Sequence, residues 1–343
     1  MRQSEFELLR IIAMFMIVFY HLLLFSVSRC SDDTIYQAMM LPLHIGVHLF
    51  VLISGYFGIN STIRGGVRLL TKIAVYAIPI NVAIHLIEGQ GFSTIVKDFL
   101  IISHTPYWFM ATYFYLYLCA PILNFCFEKL NVRRLYYLIG VLGFLSFYLG
   151  VLGKDESLCG GKNIVNFAFL YMVGRMIYKY RTIWHHFSYW KLIIIYLSLN
   201  GIVVGLYLLN NPSIIMVLWN AMYYYCSIGL LFNAILVFFI VGKKTFRSSI
   251  INGIGGSVFA IYLIHGNPHV YRCWIHPFAC SLYDKAESVP MVFICMCLLT
   301  ILIMTGSVLV DKLLYPIWTL NTRFAETIES RVKTIVNEGR IHC

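Results

Sequence analysis

The chain has 343 residues, 60% of them hydrophobic and only 12% charged, with a formal net charge of +11. A soluble domain carries about 25% charged residues and needs a polar surface to cover its core, so soluble enzymes, nucleic-acid-binding modules and disordered scaffolds are excluded. Because roughly 20 apolar residues cross a bilayer, this length describes one membrane bundle, and the basic excess is read first as a topology signal.

Ten apolar stretches run in chain order near 6–28, 40–59, 68–87, 107–127, 135–153, 164–181, 190–210, 214–240, 252–268 and 290–315. Most are unbroken by charge and rich in Leu, Ile, Val and Phe. A helix satisfies its own backbone in lipid, and the short alternating segments of a β-barrel are not found. The expected fold is all-α, a polytopic integral membrane bundle of about ten transmembrane helices over residues 1–315. The first stretch contains Arg10 and His21 and follows acidic Glu5 and Glu7, so it is read as a retained span and not a cleaved leader. Residues 92–103 are too short to span and read as an interfacial amphipathic helix. The tail 316–343 places Ile317, Leu320, Phe324, Ile328, Val332 and Ile335 at helical spacing among charges. It is either a helix on the inner membrane surface or a solvated terminal helix.

Charge sets the orientation. With a cytoplasmic N-terminus, 19 of the 26 basic residues fall on the inner side, from Arg2 through Arg64, Arg68 and Lys72 to Arg340. Six, namely Arg29, Lys97, Lys154, Lys162, Arg272 and Lys285, fall outside. This skew predicts both termini in the cytoplasm of a cell membrane protein. Acidic Asp32, Asp33, Glu88, Asp98, Asp155 and Glu156 lie outside. Of the ten cysteines, Cys30, Cys159, Cys273 and Cys280 fall on the outer side. If that side is oxidising, Cys273–Cys280 is the first candidate for a disulfide, against four unlinked thiols.

Ionisable groups within spans are costly and point to function. Arg10 and His21 are eleven positions apart on the first span. Eleven helical steps return almost to the same azimuth after a rise of roughly 16 Å. A permanent cation and a titratable imidazole thus share one stripe, half a bilayer apart. Packing alternatives are snorkelling for Arg10 and a hydrogen-bonded core histidine for His21.

Glu7-Leu8-Leu9-Arg10 with His21 on the first span resembles the acyltransferase-3 family, integral membrane O-acyltransferases acting mostly on surface carbohydrates. Gly46 to Gly58, GVHLFVLISGYFG, is similar to the family's second span with its Ser-Gly-aromatic end, here Ser54-Gly55-Tyr56. Arg64 and Arg68 follow in the next loop. Trp108 with Pro121, and Ser257 to His265 (SVFAIYLIH), resemble further family patterns. The resemblance covers residues 5–268, with hydropathy alone beyond. Two departures stand out. His44 and His48 add imidazoles to the second span, and no extracytoplasmic hydrolase-like domain accompanies the spans, so any glycan-assembly partner is expected to be a separate protein.

The resemblance implies transfer of an acyl group, most simply acetyl, from cytoplasmic acetyl-CoA or another acyl-CoA to a glycan or glycolipid hydroxyl. An imidazole has the pKa for general base work, which makes His21 the first candidate, with Arg10 beside it. A polyanionic donor calls for arginine, hence Arg10, Arg64, Arg68 and Arg175, with Lys72 as a further candidate. His265, Tyr262, Trp108, Ser54 and His48 are candidate acceptor-side residues, and His265 is also the reserve base. His44, His48 and His21 invite a metal reading, but no acidic residue lies within the spans except near their ends to support them, and no metal is expected. Membrane lipids are expected neighbours and nucleic acid is not. The alternative is a transporter of a lipid-linked sugar or of the acyl group, which would release no CoA; a non-catalytic scaffold ranks last.

Overall fold

A computed structural model describes residues 3–30, 34–89, 91–101, 107–152 and 159–341. Arg2, Asp32, Asp33, Lys154, Asp155 and Glu156, which enter the charge partition, lie outside the described residues, as do the side chains of Arg29, Cys159 and Arg340.

The chain is an all-α bundle, with no strand among the described residues. Its principal helices are α1 (Ser4–Leu22), α2 (Thr34–Leu43), α3 (Gly46–Phe57), α4 (Ile63–Ile87), α5 (Phe92–Lys97), α6 (Trp108–Lys129), α7 (Val132–Phe147) and α8 (Ile164–Lys179). They continue as α9 (Tyr189–Leu208), α10 (Pro212–Met222), α11 (Ile228–Gly242), α12 (Ser249–Gly255), α13 (Val258–His265), α14 (His276–Asp284), α15 (Val289–Leu313) and α16 (Tyr315–Ile341). Helix starts follow local chemistry. Thr62 accepts from the Gly65 amide, Asn131 from Arg134 and Asn163 from Asn166, each satisfying an amide that lacks a partner within its helix.

Among the described residues six helices are long and apolar enough to cross a membrane, or seven if the bent pair Ser249–His265 and Pro268–Asp284 is counted as one span. The expected stretch 214–240 is two short helices, because the chain turns at Tyr223–Ser227. That turn is satisfied within the protein, as membrane depth requires. The Tyr225 amide donates to Gly160 O, Asn166 Nδ2 donates to Tyr225 O, and Ser227 Oγ donates to Asn220 O. The proposed interfacial helix at 92–103 is the six-residue α5, with Phe92, Val96, Phe99 and Leu100 exposed.

Contacts sort the loops into two ends. Ser4 Oγ bonds Asn252 Oδ1 at 3.0 Å, Arg64 pairs with Glu326 at 2.5 Å, and Lys312 Nζ donates to Gly253 O. These residues gather at one end, which also holds α16 packed along α4, with Asn321 Nδ2 donating to Arg68 O. The opposite end joins Glu88 to Arg272 and Cys30 to Cys280. The first end carries residues from the basic group of loops, the second from the other group. Near the basic end, Asp311 of α15 is a buried carboxylate that accepts from Tyr76 Oη at 2.8 Å and pairs with Lys72 Nζ at 3.2 Å. Lys72 is therefore committed to bracing α4 against α15.

The tightest packing is α3 against α8. A Cβ on Gly55 would lie 2.1 Å from the Tyr171 carbonyl oxygen, and one on Gly174 2.4 Å from that of Leu52. Small residues let helix backbones touch where lipid gives no hydrophobic drive. Gly174→Leu should therefore destabilise by about 3 kcal/mol, the upper end of overpacking costs. Gly140→Ala, whose Cβ would meet nothing within 4 Å, should be neutral. Thermal unfolding in detergent, followed by size exclusion, checks this; an unchanged melting temperature in Gly174→Leu would refute the contact.

Candidate active site

A cavity of about 710 Å³ runs through the bundle from Glu7 and Arg10 at the basic end to Arg272 and His276 at the other. Its walls come from α1, α3, α6 and α13, with Met14, Ile17, Phe50, Phe109 and Phe259 forming apolar sides. Arg10 and His21 both line it, as one helical stripe requires.

At mid-depth, His21 Nδ1 lies 3.2 Å from His265 Nε2. His265 is buried, and its Nδ1 lies 2.6 Å from the Ile261 carbonyl oxygen. A carbonyl only accepts, so His265 Nδ1 carries a proton. In the neutral ring Nε2 is then an acceptor, and His21 must donate to it from Nδ1. By this hydrogen-bond logic His21 Nε2 is left unprotonated. The His21 backbone is held as well: Tyr271 Oη donates to His21 O at 2.9 Å, and Ser26 Oγ is 2.9 Å from Tyr271 Oη. Ser26 and Tyr271 sit in two π-helical turns, Leu23–Val27 and Tyr271–Ile275, the kind of local widening that recurs at functional sites.

The His265 position depends on a broken helix. α13 ends at His265, and the two arms of the pair are bent by 69°. Asn267 Oδ1 accepts from the amides of His269 and Val270, its Nδ2 donates to Asn81 Oδ1, and Tyr107 Oη donates to Leu263 O. Side chains thus replace the hydrogen bonds lost at the break.

At the basic end, Arg10 Nη1 is 2.6 Å from Glu7 Oε1. Glu7 is buried, whereas the Arg10 side chain is 31% exposed. A Cβ on Gly255 would come within 2.4 Å of Glu7 Oε2, so only glycine leaves room for this carboxylate. Glu7 fixes one edge of the guanidinium fork and leaves the charge facing the cavity. Ser54 Oγ donates to Phe50 O and accepts from Tyr113 Oη at 3.0 Å.

Of the residues singled out in the sequence, the cavity gathers Arg10, His21, Ser54, Trp108, Tyr262 and His265. Trp108 lies 5.0 Å from the Tyr225 ring, with Lys162 Nζ 5.4 Å above it. His48, Arg64, Arg68 and Arg175 are not in the wall. His48 is fully buried behind it, stacked on Tyr225. Arg64 is paired with Glu326, Arg68 is exposed on α4, and Arg175 lies 4.5 Å over the Phe127 ring. His44 does line the cavity, enclosed by the rings of Tyr20, Tyr223 and Tyr225. Among the described residues no group of three His, Cys, Asp or Glu side chains is arranged to hold a metal ion.

Glu7 entered the sequence reading only as part of the first-span motif, without a site role, and Tyr113, Tyr225, Tyr271 and His276 were not singled out. Only Glu7 had a local signal, three residues before Arg10 on one helix. The others reach the cavity through long-range packing.

The family model described as an acyltransferase domain, that of acyltransferase-3, matches residues 3–309, which contain every cavity-lining residue. No curated protein and no solved structure matches the chain.

The tautomers can be measured. In protein labelled with ¹⁵N-histidine, His21 and His265 should both appear as Nδ1-protonated neutral rings, assigned by single substitutions. His265→Ala should convert the His21 signal to a tautomer mixture. A His21 ring protonated at Nε2 in the wild type would overturn the arrangement.

Proposed function

Because the chain belongs to the acyltransferase-3 family and folds as a polytopic membrane bundle, we propose that it is a membrane O-acyltransferase. In this reading it moves an acyl group, acetyl in the simplest case, from acyl-CoA to a hydroxyl of a surface polysaccharide or glycolipid. The observation that carries it is one cavity with Arg10 at one end and, at mid-depth, His21 Nδ1 3.2 Å from His265 Nε2. Acyl-CoA contributes an activated thioester carbonyl. The residues around the cavity fit such a donor: a partly exposed guanidinium at the mouth suits a polyanion, and apolar walls suit a slender acyl-bearing arm.

The chain's own groups then have distinct tasks. Arg10 binds donor phosphate oxygens, steadied by Glu7. His21 Nε2 accepts the proton of the acceptor hydroxyl as its oxygen attacks the thioester carbonyl. The carbon–sulfur bond breaks, and His21 returns the proton to the departing thiolate. His265 is a positioning residue: it accepts from His21 Nδ1 and so keeps Nε2 directed at the reacting centre. Trp108 and Tyr262 provide ring faces for a sugar. In the orientation from charge, the donor approaches from the cytoplasm and the acceptor from outside, with both termini on the cytoplasmic side of the cell membrane.

His21→Ala should lower glycan acylation at least ~10²-fold, the usual worth of general base catalysis, while the protein still inserts and binds acyl-CoA. His265→Ala should lower kcat with little change in the KM for donor. Labelled acetyl-CoA and a glycan panel, with purified protein in nanodiscs, make the assay. Near-native turnover in His21→Ala would refute the base, and translocation of substrate without release of CoA would refute acyl transfer altogether.

Arg10→Ala should raise the KM for acyl-CoA at least tenfold. Arg10→Lys should recover only part of it, because lysine keeps the charge and loses the planar fork. Titration of acyl-CoA binding by calorimetry checks both. Unchanged affinity in Arg10→Ala would remove Arg10 from the donor site.

A further inference from the structure

At the end of the bundle away from the basic loops, Cys30 Sγ lies 3.1 Å from Cys280 Sγ. Cys30 closes the short helix Ser28–Cys30 that follows the π-turn of the first span, and Cys280 lies in the middle of α14. These segments are 250 residues apart in sequence and share no obligatory contact except through the fold. From this geometry we infer that Cys30 and Cys280 are a disulfide site, closed by exchange with an external disulfide. Two sulfurs at this separation need to approach by only about 1 Å to bond.

The pair Cys273–Cys280, the sequence's first candidate, is not the one brought together. Both cysteines lie on one continuous helical stretch, seven residues apart. Two turns of helix separate their Cα atoms by roughly 10 Å, beyond what a disulfide spans.

The surroundings supply a route. Cys30 is exposed and Cys280 half-buried, so the external disulfide meets Cys30 first. The Cys30 thiolate attacks one of its sulfurs, forming a mixed disulfide and releasing one thiol. Cys280 then attacks the Cys30 sulfur of that mixed disulfide, its proton passes to a base, and the second thiol leaves. Two protein thiols and one external disulfide become one protein disulfide and two external thiols, with electrons balanced. The base is His276. Its Nδ1 and Nε2 lie 3.6 Å and 3.9 Å from Cys280 Sγ, and Nδ1 is also 3.2 Å from Ser26 Oγ. Ser26 gives its single proton to Tyr271, which donates onward to His21 O. Ser26 therefore accepts from His276 Nδ1–H, leaving His276 Nε2 to take the thiol proton. Thiolate formation governs such exchange.

The bond would tie the outer end of the first span to α14. Phe25, Tyr271 and His276 line the cavity between these segments, so the link would fasten the cavity's outer wall. The positive-inside skew assigns this end to the exterior, where disulfides persist.

The test uses the full chain in nanodiscs, incubated with oxidised glutathione, alkylated and digested without reductant for mass spectrometry. The expected result is a Cys30–Cys280 linked peptide that disappears with dithiothreitol. It should persist in Cys273→Ser, and Cys280→Ser should leave Cys30 glutathionylated. His276→Asn should slow closure about tenfold, and dithiothreitol should lower the melting temperature of the wild type by several degrees but not that of Cys30→Ser. Full alkylation of both Cys30 and Cys280 after oxidation of folded protein, or a Cys273–Cys280 link, would overturn the site. An unchanged rate in His276→Asn would overturn the role of that histidine. None of these readouts depends on acyl transfer.

Discussion

A backbone that stops being helical inside a membrane must find every hydrogen bond within the protein. The bend at Gly266-Asn267-Pro268 meets that requirement with Asn267, Asn81 and Tyr107, and much of the site follows from it. The helix ends on His265, whose ring turns back onto the Ile261 carbonyl of its own last turn and presents Nε2 to His21. Beyond the bend, the chain runs beside the outer part of the first span, which brings Tyr271 to the His21 carbonyl. A straight helix here would carry the 271–276 segment away from the first span.

The two ends of the cavity are built on different physics. The basic end is ionic: Glu7 and Arg10 form a close pair, with Gly255 leaving space for the carboxylate. Desolvating such a pair is expensive, and it is lessened here because Arg10 keeps part of its surface accessible. The other half is aromatic, with Tyr20, Trp108, Tyr225 and Tyr262 contributing ring faces and hydroxyls. The histidine pair lies between them, where neither end alone would explain a buried imidazole.

Much of this was legible from residue order. Arg10 and His21 on one stripe required only helical periodicity, and the cavity does follow that stripe. Ser54, Trp108, Tyr262 and His265 were reached through the family resemblance and also line it. Arg64, Arg68 and Arg175 were chosen by sign and side of the membrane, with the family resemblance adding to the first two, and these are one-dimensional properties. Charge near a membrane surface does not say which way a side chain turns, and these three face Glu326, the α4 surface and Phe127 instead. His48 shares a helix face with His44 by its four-residue spacing, yet a wall one ring thick, Tyr225, separates lining from buried.

Sequence by itself determined the solvent, the class of fold and the charge-bearing stripe, because hydropathy, charge placement and the 3.6-residue period are local or additive properties. Tertiary structure alone decided the rest. The split of residues 214–240 depends on acceptors and donors from Gly160 and Asn166. The tautomer of His21 depends on a carbonyl in the ninth apolar stretch, and the neighbour of Cys280 is 250 residues away. Each rests on a pairing between distant segments, which helix periodicity cannot encode.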